Sequence, residues 1–226
     1  MSLMEKSKPK LKRKTETEGL KMKKILSVLI LALCTAAAFC EKISFTADYM
    51  HGSASETNNK TVLERHAHIS TESFDITAQL IELEDENYRY VTATGAVFGK
   101  SKKSNLDFTC DKLFFDRETD LIFFEGNVNV KDTANNVDAQ SQLMEYDLNT
   151  ETAVLQVNVR LNQNNSKGTG SLAVYKTKEK TVDLTGNPKI VRGDDIFRAQ
   201  KITLNVETEE ILLDGKVSGN VTSEDN

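Results

Sequence analysis

The stretch Ile122-Phe-Phe-Glu-Gly-Asn-Val-Asn-Val130 contains the pattern that decides the fold of this 226-residue chain. Apolar side chains at Ile122 and Phe124 are followed by apolar ones at Val128 and Val130, with polar residues between them. An alternation with a period of two is typical of β-strands that bury one face and expose the other. Similar stretches occur at residues 91–99, 153–161, 182–190 and 211–219.

These copies recur at a nearly constant interval. The anchor position is occupied by Gly95, Gly126, Val157, Gly186 and Gly215, which are 31, 31, 29 and 29 residues apart. Sixteen residues before the last four anchors stand small residues, namely Cys110, Ser141, Gly170 and Ala199. This register predicts that Cys110 is a small inward residue of a strand rather than a nucleophile or a metal ligand. Repeats of this length must stack to cover their apolar faces.

Polar segments separate the apolar runs within each repeat. Clusters of charged residues, Asn and Thr between apolar runs are typical of hairpin turns. These segments are residues 116–120, 147–152, 176–180 and 205–209. The sequence therefore predicts an all-β fold, an elongated antiparallel β-jellyroll or rolled sheet. We expect about five repeated hairpins, with apolar faces lining a common interior that is open at both ends.

The N-terminal region is typical of a secretory signal peptide. Lys21, Lys23 and Lys24 precede a short apolar run, residues 25–33, and small residues follow it. We assign residues 1–38 to an N-terminal extension and signal peptide, with Met22 as the true start and cleavage after Ala38. Residues 39–226 then form a single exported domain.

Three alternatives remain open for this region. The apolar run is shorter than the roughly 20 residues that span a bilayer, but it could be kept as an anchor helix. Cys40 could carry a lipid, although Phe39 before it fits that processing poorly. Cys40 and Cys110 could also form a disulfide in an oxidising compartment.

The charge distribution argues against nucleic-acid binding. The whole chain has a formal net charge of −5, and residues 1–38 hold nine basic and three acidic side chains. The remaining residues therefore carry 20 basic and 31 acidic groups. A body this acidic repels phosphate backbones.

The repeat resembles the LptA/OstA family of periplasmic lipopolysaccharide-transport proteins. The resemblance rests on residues 184–190 with 198–204, and on the same pattern one unit earlier at 124–130 with 138–146. Residues 43–48 resemble the opening strand of that family. The resemblance covers residues 43–221, although one anchor is Val157 and a polar insertion, Met50 to Thr61, follows the opening strand.

The resemblance implies a jellyroll that shields the acyl chains of lipopolysaccharide or another glycolipid in an apolar groove. It implies binding to inner-membrane and outer-membrane transport components, and head-to-tail binding to further copies. The candidate lumen residues are Ile43, Phe45, Leu113, Phe115, Phe124, Met144, Tyr146, Leu155, Tyr175, Leu184, Leu204 and Leu213. The family's lumen contacts correspond best to Ile43, Phe45 and either Tyr146 or Tyr175. The alternative for each residue is an ordinary core position.

Little in the sequence indicates catalysis. His66 and His68 are predicted on one face of a strand, but two ligands alone make no metal site. The pairs Asp194/Asp195 and Glu82/Glu84 fit turns and solvated strand faces better than a hydrolase site. No nucleophile elbow or phosphate-binding loop is present. We expect no enzymatic activity, metal or cofactor.

Two alternatives to the carrier function remain. The first is a structural β-repeat scaffold or adhesion module with a closed core. The second is a related component of the same transport system, either the membrane-anchored jellyroll partner or the soluble jellyroll domain of the outer-membrane translocon.

Overall fold

The computed structural model describes residues 43–53 and 59–222. They form sixteen antiparallel strands and a short 3-10 turn at Glu86–Tyr88. Residues 1–38, the predicted cleavage site and Cys40 lie outside this part of the chain. Within it, no helix has the length and apolar character needed to cross a membrane.

The strands are β1 Ser44–Thr46, β2 Tyr49–Ser53, β3 Lys60–Ser70, β4 Phe74–Glu84, β5 Tyr90–Ser101, β6 Leu106–Asp116, β7 Leu121–Asp132, β8 Val137–Asp147, β9 Thr152–Gln163, β10 Ser166–Lys176, β11 Thr181–Thr185, β12 Lys189–Arg192, β13 Asp195–Arg198, β14 Lys201–Asn205, β15 Ile211–Asp214 and β16 Ser218–Asn220.

The chain runs up and down through one unclosed sheet, in which β3 to β10 each pair with their sequence neighbours. These eight strands are 11 or 12 residues long and bend near the middle. At the C-terminal end the same path is divided into shorter strands, so that β10 pairs with β11 along one half and with β12 along the other. The architecture confirms the predicted open antiparallel β-jellyroll.

In β3, β5, β7 and β9 the bend lies at two consecutive residues with a left-handed backbone, and the same conformation recurs between β11 and β12 and between β15 and β16. In β7 these are Gly126 and Asn127, with φ of 75° and 47°, and the β7–β8 register shifts there between Glu125 and Val128. The six pairs are Arg65–His66, Gly95–Ala96, Gly126–Asn127, Val157–Asn158, Gly186–Asn187 and Gly215–Lys216. We call these pairs the corners.

The predicted repeat anchors are therefore the first residues of corners, not of hairpin turns. Left-handed backbone favours glycine and tolerates asparagine, which explains the recurring Gly-Asn. Arg65 extends the repeat to a sixth corner that the sequence pattern did not reveal. The predicted turns are confirmed, since the chain reverses at 117–120, 148–151, 177–180 and 206–210.

The corners divide the sheet into two layers. Layer 1 contains β2, β11, β14, β15 and the halves of β3 to β10 that lie between β2 and β11 in the sheet. Layer 2 contains β1, β12, β13, β16 and the other halves. Their apolar faces pack together, with the Phe74 ring of layer 2 at 6.2 Å from the Phe115 ring of layer 1.

The structure corrects one sequence-based expectation at the N-terminal end. The predicted insertion from Met50 to Thr61 is wrong at its start, because Tyr49–Ser53 is a strand that pairs with β3. Residues 54–58 lie outside the described part. The strands from β1 to β4 continue the bent architecture of the predicted hairpins at this end.

Both ends of the sheet have open edges. Among the described residues, β1 and β2 pair only with β3, while β15 pairs only with β14 and β16 only with β13. Their outer backbone groups are available for pairing with another strand.

A bidentate ion pair joins the turn before β5 to the end of β6. Arg89 Nε and Nη2 donate to Asp116 Oδ1 and Oδ2 at 3.0 and 2.8 Å. The Arg89 guanidinium lowers the pKa of Asp116 to about 2.

We expect Asp116→Asn to reduce stability at neutral pH and to have a much smaller effect near pH 2. The lowered pKa means that this contribution is complete above the ordinary Asp pKa near 4 and is lost as the pH falls through about 2. Urea unfolding followed by circular dichroism, repeated across this range, measures it. Arg89→Gln should show the same pH dependence, and an equal loss for Asp116→Asn at pH 2 and pH 7 would contradict the assignment.

Candidate functional site

The candidate site is the apolar interior between the two layers. One continuous cluster of buried side chains runs from Leu63 to Val206. Nine of the twelve predicted lumen residues are buried in it: Leu113, Phe115, Phe124, Met144, Tyr146, Leu155, Tyr175, Leu184 and Leu204. Strand alternation alone predicted their inward orientation. Whether any of them contacts a lipid stays a prediction.

The other three predicted lumen residues lie near the ends of the interior. Ile43 and Leu213 are half-buried and pack against the core. Phe45 lies in edge strand β1 opposite Ile69 and remains 40% exposed. Both ends of the interior therefore present apolar side chains that are incompletely covered.

The middle of the interior is nearly filled. Its cavity has a volume of about 20 Å³ and lies among Phe124, Met144, Tyr146, Tyr175 and neighbouring residues. A space of this size holds about one water molecule. An acyl chain could enter only if the two layers moved apart.

Aromatic rings form the centre of this interior. The Phe108 and Phe124 rings meet edge to face with centroids 4.8 Å apart, across the two layers. Phe108 lies over Gly99, where an added Cβ would come within 1.9 Å of the ring. Phe74 and Phe108 were absent from the predicted lumen residues, although the alternation Leu106, Phe108, Cys110 marks the same inward face.

The two layers also meet along a seam, formed by the turns of layer 1 and those of layer 2. At its centre, the Tyr175 hydroxyl of layer 1 donates to Asp132 Oδ2 of layer 2 at 2.6 Å. Asp132 Oδ1 accepts the backbone N–H groups of Ala134 and Asn135. The Asn135 side chain donates to Asp132 Oδ2 and to the Tyr175 oxygen. This buried network, which we call the latch, holds the layers together.

Burial makes the hydroxyls of both interior tyrosines weaker acids than usual. It raises the pKa of Tyr146 to about 12. Burial also raises the pKa of Tyr175, and the neighbouring Asp132 carboxylate raises it further. Both hydroxyls therefore stay protonated at neutral pH, and Tyr175 can act as a hydrogen-bond donor in the latch. Both tyrosines line the same cavity, so the correspondence with the family position remains open.

Further contacts close the seam towards the C-terminal end. The buried Gln163 side chain donates to the carbonyl oxygen of Val206 at 2.9 Å. Arg192 Nη2 donates to the Glu209 carbonyl at 2.7 Å, and Asn164 donates to the Glu209 carboxylate at 2.6 Å. Polar contacts thus separate the apolar interior from solvent along this side.

The predicted pair His66 and His68 does not form one site. His66 occupies a corner, which interrupts the strand alternation, and its Nδ1 lies 2.7 Å from Asp48 Oδ2. His68 Nε2 lies 3.8 Å from Asp75. Among the described residues, no three metal-ligating side chains lie together.

The carboxylate pair Glu82 and Glu84 forms a surface ion-pair cluster. Both side chains contact Lys60 Nζ, at 2.7 and 2.9 Å. Of the other pair, Asp194 lies in the turn between β12 and β13, and Asp195 begins β13.

The prediction for Cys110 is confirmed. Its side chain is 4% exposed, faces inward and is a free thiol. Burial raises its pKa to about 12, so the thiol is a poor nucleophile. The predicted partner Cys40 lies outside the described residues.

The expectation that each strand has one polar, solvent-exposed face is wrong for part of layer 1. Phe123 and Leu143 are on its outer face and are 41% and 42% exposed. The Tyr90 and Phe114 rings stack there, with centroids 5.6 Å apart. The runs Leu113-Phe-Phe115 and Ile122-Phe-Phe124 break the alternation and could have revealed this face.

The match to a known protein family concerns mainly the second half of the chain. Residues 107–210 match the sequence model of a family described as LptA/(LptD N-terminal domain) LPS transport protein. A comparison with curated proteins finds no match.

Among solved structures, the chain is similar to LptH from Pseudomonas aeruginosa, described as the LptA homologous periplasmic component of the conserved lipopolysaccharide transport device. The match has 11% sequence identity and a TM-score of 0.25, and it covers 81% of this chain and 96% of that chain. A TM-score this low supports no further structural statement.

Proposed function

Because residues 107–210 match the sequence model of an LptA-like family, we propose that this chain is a non-enzymatic periplasmic carrier of lipopolysaccharide or a related glycolipid. The interior between the layers would shield the acyl chains of the cargo. Inner-membrane and outer-membrane transport components would be its partners, and a signal peptide would direct it to the periplasm.

The observation that supports this proposal is the continuous apolar cluster between two layers, which are also joined at their corners and along a polar seam. Each acyl CH₂ group kept from water contributes about 0.8 kcal/mol, so a carrier needs a long apolar surface. The partly covered Ile43, Phe45 and Leu213 extend this surface to both ends.

Cargo entry requires the layers to separate. The corners are fixed by backbone conformation, whereas the seam is held by side-chain hydrogen bonds such as Tyr175 to Asp132. We therefore propose that the seam opens and that acyl chains replace contacts between Phe108, Phe124 and their neighbours.

The closed interior favours a second candidate, a structural scaffold with a permanently packed core. The small cavity and the fully buried Leu113 and Leu184 are what such a scaffold requires. The two candidates differ in whether the layers open under native conditions.

A fluorescent acyl-chain probe distinguishes these functions. The carrier should bind it saturably, and photocrosslinking groups at Phe115, Phe124 and Tyr146 should attach to glycolipid in cells. A crosslinking group at Phe98, which is exposed on the outer face, is the matched control. Absence of both saturable binding and interior crosslinks would favour the scaffold.

The two open edges also lead us to propose head-to-tail association. Strands β1 and β2 differ from β15 and β16, so pairing between opposite ends would extend chains rather than close dimers. Exposed Phe45 and Leu212 would lie close to such a junction.

We expect oligomers that grow with protein concentration in light scattering. Deleting residues 215–226, which include β16, should weaken this association, because it removes part of the C-terminal edge. Deleting only residues 223–226 is the control and should leave the association unchanged. A full-length domain that stays monomeric at all concentrations would contradict the proposal.

A further inference from the structure

The outer face of layer 2 contains a concave array of amide side chains. Three of its residues, Asn127, Gln142 and Asn158, lie at the level of the corners, and a second row lies next to them. The cavity has a volume of about 460 Å³ and is lined by Asn127, Val128, Asn129, Gln140, Ser141, Gln142, Asn158 and Arg160. We call this set the amide array.

Strand register fixes the second row of the array. Asn129 of β7 stands directly opposite Gln140 of β8, which stands opposite Arg160 of β9. Side chains opposite one another in antiparallel strands lie roughly 5 Å apart. One ligand with several closely spaced polar groups can therefore contact all three.

Most polar groups of the array have no partner within the described part of the chain. The Asn129 carboxamide oxygen is buried without a hydrogen bond there. The Gln140, Gln142, Asn158 and Arg160 side chains are not engaged in any hydrogen bond or ion pair with described residues either. A buried polar group without a partner is unfavourable, so a ligand that supplies one gains affinity.

The fold alone does not require amide side chains at the positions of the array. In the preceding repeat the position of Asn129 is occupied by Phe98, and that of Gln140 by Thr109. The corner cavity of the earliest repeat has a different lining, in which Gln79 is the one carboxamide beside three alanines, Ala67, Ala78 and Ala96, and the polar residues Asp48, Arg65, His66 and Thr77. The amides are therefore specific to this segment.

The second row continues into a basic surface. Beyond Arg160, the facing residues are Thr169, Lys189 and Arg198. Lys167 lies in the adjacent row of outward-facing residues, opposite Asn162 of β9. From β9 to β13, no acidic residue occupies either of these two rows. The row of Lys167 differs in the earlier strands, where Asp75, Lys100, Asp107, Lys131 and Asp138 alternate in charge.

We propose that the amide array and its basic extension bind an acidic oligosaccharide. Carboxamides both donate and accept hydrogen bonds, as sugar hydroxyls do, whereas Arg160, Lys189 and Arg198 match carboxylate or phosphate groups on the sugars. An apolar ligand would leave these polar groups unpaired. The array lies outside the interior, so the proposal is independent of lipid transport.

Isothermal titration with lipid-free tetragalacturonate, with neutral maltotetraose and with inorganic phosphate at equal ionic strength tests this proposal. Tetragalacturonate should bind at least about tenfold more tightly than either of the others. The variant Asn129→Ala/Gln140→Ala should weaken its binding about tenfold, because amide contacts to the hydroxyls are lost. In NMR spectra, side-chain amide signals of the array should shift.

The control is Thr77→Ala/Lys100→Ala on the same outer face, which should bind normally. Because the substituted side chains are on the surface, circular dichroism should show both variants folded. Unchanged affinity in the amide variant would overturn the proposal. So would phosphate binding as tight as that of tetragalacturonate, which would indicate a site for anions alone.

Discussion

Replacing Gly126 with valine should lower the free energy of unfolding by about 3 kcal/mol, one of the two largest effects that we expect. Gly126 has a φ of 75°, which is unfavourable for a β-branched residue. An added Cβ would also lie 2.3 Å from Asp111 Oδ2 of the neighbouring strand. Because the chain has no Trp, urea unfolding is best followed by circular dichroism.

The reciprocal change tests the same explanation. Val157 occupies the equivalent corner with a φ of 65°, and its side chain is 46% exposed. Val157→Gly should therefore stabilise the domain by about 1 kcal/mol, since relief of backbone strain outweighs the small loss of packing. Val159→Gly, at a buried position two residues later, is the control and should destabilise. Stabilisation by Gly126→Val, or destabilisation by Val157→Gly, would show that the corners do not control stability in this way.

Removal of the latch carboxylate should have an effect of similar size. Asp132→Ala should lower stability by about 3 kcal/mol, because the buried Tyr175 hydroxyl and the turn after β7 both lose their acceptor. Tyr175→Phe should cost only about 1 kcal/mol, because Asp132 keeps its other donors.

The double variant separates the latch from a general packing defect. In Asp132→Ala/Tyr175→Phe no hydroxyl is left unpaired, so it should be more stable than Asp132→Ala alone. Additive losses would mean that the two side chains act independently. If the carrier function is correct, Tyr175→Phe should also load the acyl-chain probe faster, since the seam then opens more easily.

The sequence was informative wherever structure depends on local pattern. Alternation predicted the inward orientation of Leu113, Phe124 and Leu184, and charged segments predicted the turns. The sequence shows the regular spacing of the glycines, but it does not reveal that they lie at bends inside the strands. A Gly-Asn pair is compatible with a hairpin turn or with a bend inside a strand, and only the pairing of both strand halves with the same neighbours distinguishes them.

The seam and the amide array could not be predicted for a different reason. Asp132 and Tyr175 are 43 residues apart, and their contact depends on how the layers meet. Asn129, Gln140 and Arg160 each look like ordinary solvated strand residues. Their combination follows from the register across three strands, which a single sequence does not contain.

The corners also define a structural unit of fixed length. Each interval of about thirty residues begins and ends at the same backbone conformation, and it contributes two adjacent passes of the chain. Duplication or loss of one interval would change the length of the apolar interior by about 10 Å, because neighbouring strands lie about 4.8 Å apart. The cross-section would be unchanged. Chains of this architecture can therefore differ in length by whole multiples of this unit, and insertions of other lengths belong in the turns.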